Sequence, residues 1–301
     1  MGSGAELSVG AAAGEGAATG SGPVGVIAGG GMLPLEVAEA IEAAGGRVVV
    51  AGIDGEADLV LRRPDARSFR WGQIGGAIDL MASRGVHDLV FVGTITRRPD
   101  FRSLRLDAGT LRRLPRILQA LVGGDDGVVR KVLKLIEAEG FHVRGIGEVA
   151  PALLAAEGPL GRLGADDDQI EDARFAMAAL AALGPYDVGQ AAVVMQRRIV
   201  ALEAAEGTDR MLARVAELRQ LGRVSTKGGG VLVKRAKPGQ DLRTELPTIG
   251  PATVAAAAAA KLAGIVIEAG RTIIADRQET IAQADRAGLF LVGLPGEGDA
   301  A

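Results

Sequence analysis

The stretch Pro23-Val24-Gly25-Val26-Ile27-Ala28-Gly29-Gly30-Gly31-Met32-Leu33-Pro34 decides the fold class. Residues 24–28 form a short apolar run cut off by three glycines, which reads as a buried strand entering a tight turn. Residues 32–44 then carry apolar side chains at helical spacing. Pro34 falls near the first turn, where its missing N–H costs nothing. Gly45-Gly46 ends the helix, and residues 47–53 form a second apolar run. Strand, glycine turn, helix and strand in that order open a doubly wound α/β domain.

Working outward, a helix is expected at 75–84 and a strand at 88–92, stopped by Gly93 in a turn leading to Thr94, Thr96, Arg97, Arg98 and Pro99. Helices at 111–122 and 126–138 and an edge strand at 141–146 complete a Rossmann-like, parallel-sheet N-terminal domain over residues 23–150. Residues 151–168, rich in Gly, Pro and Ala and ending in Asp166-Asp167-Asp168, read as a linker. Residues 169–301 form a second α/β domain. Its expected helices are 170–183, 209–221, 250–262 and 277–287. Its expected strands are 190–195, 198–204, 230–236, 264–268 and 290–293, with Gln196-Arg197 as a hairpin turn. That order is not a simple alternation, so the second sheet is expected to be mixed. Residues 1–22 lack an apolar core and early positive charge and read as a disordered leader or tag, not a signal peptide.

Composition narrows the function. The 301 residues are 48% hydrophobic but only 3% aromatic, which favours Ala-rich helices against parallel strands. A net charge of -3 gives no general electrostatic case for nucleic acid. The absence of cysteine excludes disulfides, thiolate metal sites and cysteine nucleophiles. His87 and His142, the 2 histidines, stand in no metal-ligand spacing and argue against a histidine-based triad. The longest apolar run, near 254–260, is almost all alanine and does not read as a membrane span. The glycine turn lacks the G-x-G-x-x-G spacing of nicotinamide sites, and no Walker-type Gly-Lys-Ser/Thr loop is present.

The remaining candidates suit phosphate chemistry. Gly30 and Gly31 let the backbone approach an anionic ligand at a helix start, and Arg97 and Arg98 match phosphate geometry. Thr208 or Asp209 can cap a helix whose free amides hold an oxyanion. Lys227 opens a basic glycine loop. Residues 237–251 (KPGQDLRTELPTIGP) are too polar and too proline-punctuated for a core, yet lie between apolar elements. There Asp241 and Glu245 offer hard oxygens to Mg²⁺, while Lys234, Lys237 and Arg243 neutralise a diphosphate. Thr248 and Gly250 precede another helix N-terminus. The plainer readings are a tight structural turn for the glycines, a solvated basic loop for Arg97 and Arg98, and a solvated mixed-charge loop for 237–251.

At these residues the chain resembles the cytoplasmic UDP-2,3-diacylglucosamine pyrophosphatases of lipid A synthesis. The matching stretches are IAGGGMLP at 27–34, the loop ending in Arg98-Pro99, DVGQAAVV at 187–194, EAAEGTDRML at 203–212, VLVKRAKPGQDLRTELPTIGPATV at 231–254 and GLFLVGL at 288–294. Position 245 is Glu where the family pattern has Asp, so the carboxylate is kept. The resemblance implies Mg²⁺-dependent hydrolysis of UDP-2,3-diacylglucosamine to 2,3-diacylglucosamine 1-phosphate and UMP, with water directed to the sugar-side phosphorus. Asp209, Asp241 and Glu245 are the candidates for catalysis and for binding Mg²⁺, with Asp241 and Glu245 ranked above Asp209 because they share one segment. The resemblance further implies substrate contacts from Gly30, Gly31, Met32, Thr94, Arg98, Gln190, Gly207, Thr208, Lys227, Lys234, Lys237, Arg243, Thr248 and Ile249. A homodimer, a cytoplasmic location and transient contact with the inner membrane of a Gram-negative bacterium also follow from it. Two other readings use the same residues: a non-catalytic nucleotide-sugar binding protein, and a nucleotide-dependent transferase.

Overall fold

The computed structural model describes residues 22–96, 105–121 and 128–296. The leader, apart from Gly22, and Arg97 and Arg98 lie outside these residues.

The first sheet contains β1 (Val24–Ala28), β2 (Val48–Ile53), β3 (Arg67–Phe69), β4 (Asp88–Val92) and β5 (His142–Val143), all parallel, in the order β3-β2-β1-β4-β5. Helices α1 (Leu33–Ala43) and α5 (Ile146–Val149) bury Val37, Ala38, Ile41 and Ile146 against one face. Helices α2 (Ile74–Ser83) and α4 (Val128–Ala138) bury Ile78, Met81, Leu133 and Ile136 against the other. Helix α3 (Ala108–Leu121) packs on α2 and α4. Strand β3 was not expected: only three residues long and largely exposed, it carries no readable period. The chain leaves β1 towards β2 on one side and returns to β4 on the other. The β1/β4 junction is therefore the topological switch point, where an open α/β sheet places its ligand crevice.

The second sheet has six strands in the order β6-β13-β11-β9-β7-β8. These are β6 (Gly158–Pro159), β7 (Ala191–Met195), β8 (Arg198–Leu202), β9 (Val231–Lys234), β11 (Gly264–Glu268) and β13 (Phe290–Leu294). Strands β9, β11 and β13 are parallel, whereas β7, β8 and β6 run antiparallel to their neighbours, so the sheet is mixed as expected. Helix α6 (Asp167–Leu183) covers one face, and α7 (Thr208–Gln220), α8 (Pro251–Ala259) and α9 (Arg277–Ala287) cover the other. Asp166 and Gln169 cap the start of α6 reciprocally. In the β7–β8 turn both Gln196 and Arg197 have positive φ, and the buried Asp172 carboxylate accepts both of their N–H groups. Those bonds offset the strain of a hairpin turn built without glycine. The segment read as a linker contributes β6, which closes the sheet edge beside β13.

A third, two-stranded parallel ladder joins β10 (Thr248–Ile249) to β12 (Ile273–Ile274). It is where the two halves meet. Ile273 is buried in the core of the first sheet, Leu246 packs beside it, and Leu154 bridges to Ile273. Nearby, the Glu36 carboxylate on α1 accepts the Asp276 N–H at 2.8 Å, at the start of α9. Burial raises the Glu36 carboxyl above its ordinary value, a bond to the Asp276 backbone opposes this, and the Asp276 and Glu39 charges add to it.

A raised acid pKa means that the folded chain holds its proton to higher pH than the unfolded chain. The stability contributed by Glu36 is therefore full below the unfolded value and is lost as pH rises through the folded one. Glu36→Gln keeps the acceptor and removes the charge. Thermal melts are expected to place Glu36→Gln at or above the parent near pH 7. The gap should close as pH falls towards the unfolded carboxylate value of about 4.3. A parent that gains on the variant as pH rises from there to 7 would contradict the assignment.

Candidate active site

Two glycine-dependent features build the crevice at the switch point of the first sheet. Gly30 N–H donates to Thr94 O at 2.8 Å, and Thr94 N–H returns the bond to Gly30 O at 3.0 Å. A β-carbon at Gly29 would stand 2.5 Å from the Thr94 carbonyl oxygen, so the turn after β1 and the turn after β4 can touch only through bare backbone. Gly31 follows at φ +92° with open space around it, and the exposed Met32 leads into α1. No side chain caps that helix. Gly30, Gly31, Met32 and Thr94 are therefore brought together where the chain leaves the parallel strands.

The second cluster centres on a residue that the sequence did not single out. Glu203, 7% exposed just past β8, accepts the Thr208 hydroxyl at 2.7 Å through Oε1 and the Gln190 N–H at 2.9 Å through Oε2. Thr208 or Asp209 was expected to cap α7, and neither takes the cap position. Thr208 instead lies inside the helix and gives its hydroxyl to Glu203, while Gly207 at φ +81° takes the cap position without a side-chain bond. The first-turn amides of α7 are thus left uncapped by any side chain, and Asp209 sits among them. Lys234 closes β9 with its side chain 7% exposed, and its Nζ donates to the Thr248 carbonyl at 2.9 Å. Burial pushes its ammonium below the ordinary lysine value, and the Glu203 and Asp209 charges hold it up. Gln190, Glu203, Thr208, Asp209, Lys234 and Thr248 thus form one cluster beside the C-terminal end of β9. A Glu just past a strand, five residues before the threonine of a helix start, was the available signal for Glu203.

The third group is the loop between β9 and β10. Glu245 N–H donates to Asp241 O at 3.2 Å, so one turn separates these carboxylates. Both line an open depression of about 260 Å³ with Lys237, Gln240, Thr244 and Asp187. Arg243 holds Asp241 through Nε and Nη2, the latter at 2.7 Å, and reaches Glu137 of α4 through Nη1 at 2.8 Å. Glu245 accepts from Gln240 at 2.9 Å, and Lys237 pairs with Asp187 at 2.6 Å. Among the described residues no group of three or more His, Cys, Asp or Glu converges as a metal cage. Asp209 is placed with the Glu203 cluster and is not one of the residues lining this depression.

Two expected contacts are placed elsewhere. Lys227 lies on the loop entering β9, where Gly229 N–H bonds Lys261 O and the buried Arg219 guanidinium gathers the carbonyls of Ser225, Gly229, Ala260 and Lys261. That is the N-terminal end of the parallel strands, opposite Lys234. Ile249 is fully buried in the core of the second sheet, so its side chain faces no cleft. Arg98 lies outside the described residues.

Comparison with known proteins gives this arrangement a family. The family model for the LpxI N-terminal domain matches residues 23–153, and that for the LpxI C-terminal domain matches residues 156–292. The UDP-2,3-diacylglucosamine pyrophosphatase LpxI of Caulobacter vibrioides is 41% identical over 273 residues, covering 90% of this chain and 97% of that one. With both halves matched and almost the whole relative covered, the chain belongs to the LpxI family.

Proposed function

We propose that this protein hydrolyses the pyrophosphate bond of UDP-2,3-diacylglucosamine, giving 2,3-diacylglucosamine 1-phosphate and UMP. The observation that carries the reading is the 41% identity to a pyrophosphatase of that name along nearly its full length. The site supports it chemically. A backbone crevice at a switch point, uncapped amides at the start of α7, a buried lysine and a carboxylate loop are what a diphosphate needs to be held and cleaved.

The residues divide the work by place. The start of α1, beyond the mutually bonded Gly30 and Thr94, offers backbone N–H groups to the nucleotide half. The amides of α7 and the Lys234 ammonium face negative charge that grows on the phosphoryl oxygens in the transition state. Asp241 and Glu245 would hold Mg²⁺, which supplies Lewis-acid polarisation of the phosphoryl oxygens when bound. The donor set fits that ion: two hard carboxylates one turn apart in an open depression leave its other positions to water and substrate oxygens, as magnesium prefers. Arg243 must then pass from Asp241 to another anion, and a substrate phosphate is the natural one.

No described helix is long and apolar enough to cross a membrane. A homodimer and a peripheral approach to the membrane surface belong to the same proposal, because the acyl chains of the substrate reside in a bilayer. The test is turnover of UDP-2,3-diacylglucosamine in oxygen-18 water. Mg²⁺-dependent release of UMP, halted by EDTA, with the label in the sugar phosphate, is expected. Binding without UMP release would reduce the protein to a nucleotide-sugar binder, and product formed only with an acceptor would make it a transferase.

A further inference from the structure

The row of side chains that β9 turns towards α6 runs Val231, Val233 and then Arg235. The matching row on β11 runs Val266 and then Glu268. Apolar residues would continue both rows. Instead a guanidinium and a carboxylate stand at their ends, 6% and 1% exposed. Arg235 Nη2 lies 3.8 Å from Glu268 Oε1, an oxygen with no hydrogen-bond partner among the described residues. Taking two charges out of water costs more than a loose pair returns, so such a pair is a poor stabiliser compared with well-packed apolar residues of the same volume.

What the pair touches is more informative. Ala236 is the residue at which the chain leaves β9 for the carboxylate loop. Its N–H donates to Glu268 Oε2 at 2.8 Å, and its carbonyl accepts from Arg235 Nε at 3.3 Å. Arg235 Nη1 is anchored in turn on the Met177 carbonyl of α6 at 3.1 Å. Both backbone polar groups of this exit residue, buried past the end of the strand, are thus held by the two charged side chains. Lys237 is the next residue and Asp241 lies four further on.

We propose that Arg235 and Glu268 are positioning residues, which fix the point and direction at which the 237–245 loop departs from the sheet. The proposal rests on the functional reading above, in that the loop they aim is the one carrying Asp241 and Glu245. Neither side chain touches substrate in this account.

The experiment compares the parent with Arg235→Met/Glu268→Leu, Arg235→Lys and Asp241→Ala for kcat, KM, thermal midpoint and amide hydrogen exchange over residues 237–245. The double variant is expected to melt near the parent, because removing two buried charges offsets leaving the Ala236 N–H and the Met177 carbonyl without their partners. Its kcat should fall at least about tenfold with KM within about threefold, since a misplaced catalytic group acts on the chemical step. Exchange across 237–245 should accelerate about tenfold or more as the loop loses its anchor. Arg235→Lys keeps the charge but loses the planar fork, and is expected to show the same kcat loss at an unchanged melting point. It decides the matter if the double variant does not fold. Parent-like kcat and parent-like exchange in the folded variants overturn the proposal, as does a kcat loss that only follows a lowered melting point. If the parent itself releases no UMP while exchange still accelerates, the functional reading fails and the positioning role stands.

Discussion

Asp241→Ala is expected to lower kcat for UMP release by on the order of 10³-fold while the chain stays folded. The size follows from where the carboxylate stands. It lines the depression shared with Glu245 and Lys237, and it sits on the segment leading from β9 to the β10–β12 ladder where the two halves meet. Asp241 also organises its own turn, because its Oδ1 accepts the Arg243 N–H at 3.1 Å and its side chain braces the Arg243 guanidinium. Asp241→Asn separates these duties. The amide can still accept the Arg243 N–H and preserve the turn, but it carries no charge for a divalent cation. Equal losses in the Asn and Ala variants, with unchanged circular dichroism, assign the effect to charge. Near-parent turnover in Asp241→Asn would remove Asp241 from the chemistry and leave it as a structural turn residue.

The physical reasons for what the sequence revealed are local. Runs of five or six apolar residues bounded by glycines have only one economical use, so β1, β2, β4, β7, β11 and β13 were legible. So were α1, α6, α7 and α9, because their apolar spacing spans whole turns. Among the strands of two or three residues, β5 was expected within 141–146, but β3, β6, β10 and β12 were not legible: they are too short to show a period and exist only because a neighbour supplies the ladder. The docking of β10 and β12 on the first domain was hidden for the same reason.

The site was legible as residue types and illegible as places. Lys227 and Lys234 are seven positions apart, and nothing in composition separates them. The four-residue strand β9, about 13 Å long, carries them to opposite ends of the sheet. Ile249 lies in a polar, proline-punctuated segment yet points into the core, because β10 turns it under the ladder with β12. Glu203 was passed over since a glutamate after a strand is common; its importance comes from Gln190 and Thr208, which approach from either side in space. Arg235 and Glu268 were not singled out, since a charge near a strand end is common, and only the orientation of their rows reveals that both are buried.

Lys234→Met is expected to lower kcat/KM by about 10²-fold or more, because a buried cation facing developing phosphoryl charge has no solvent to replace it. The substitution keeps the apolar stem. It removes the bond to the Thr248 carbonyl and leaves Glu203 held by Thr208 and Gln190 alone, so a loss of stability up to about 2 kcal/mol is expected. The distinguishing evidence is in pH. Burial depresses the Lys234 pKa, so above that folded value the native chain binds fewer protons than the unfolded chain, which holds its proton until about 10.4. Across this window the folded state therefore gains stability as pH rises, while activity that needs the ammonium falls. Few other side chains make the two quantities move in opposite directions with alkali. In Lys234→Met both trends should vanish together: the residual rate should lose its early alkaline decline, and the melting point its alkaline gain over the variant. A variant that keeps the parent's alkaline limb would assign that titration to another group and leave Lys234 as a structural cation.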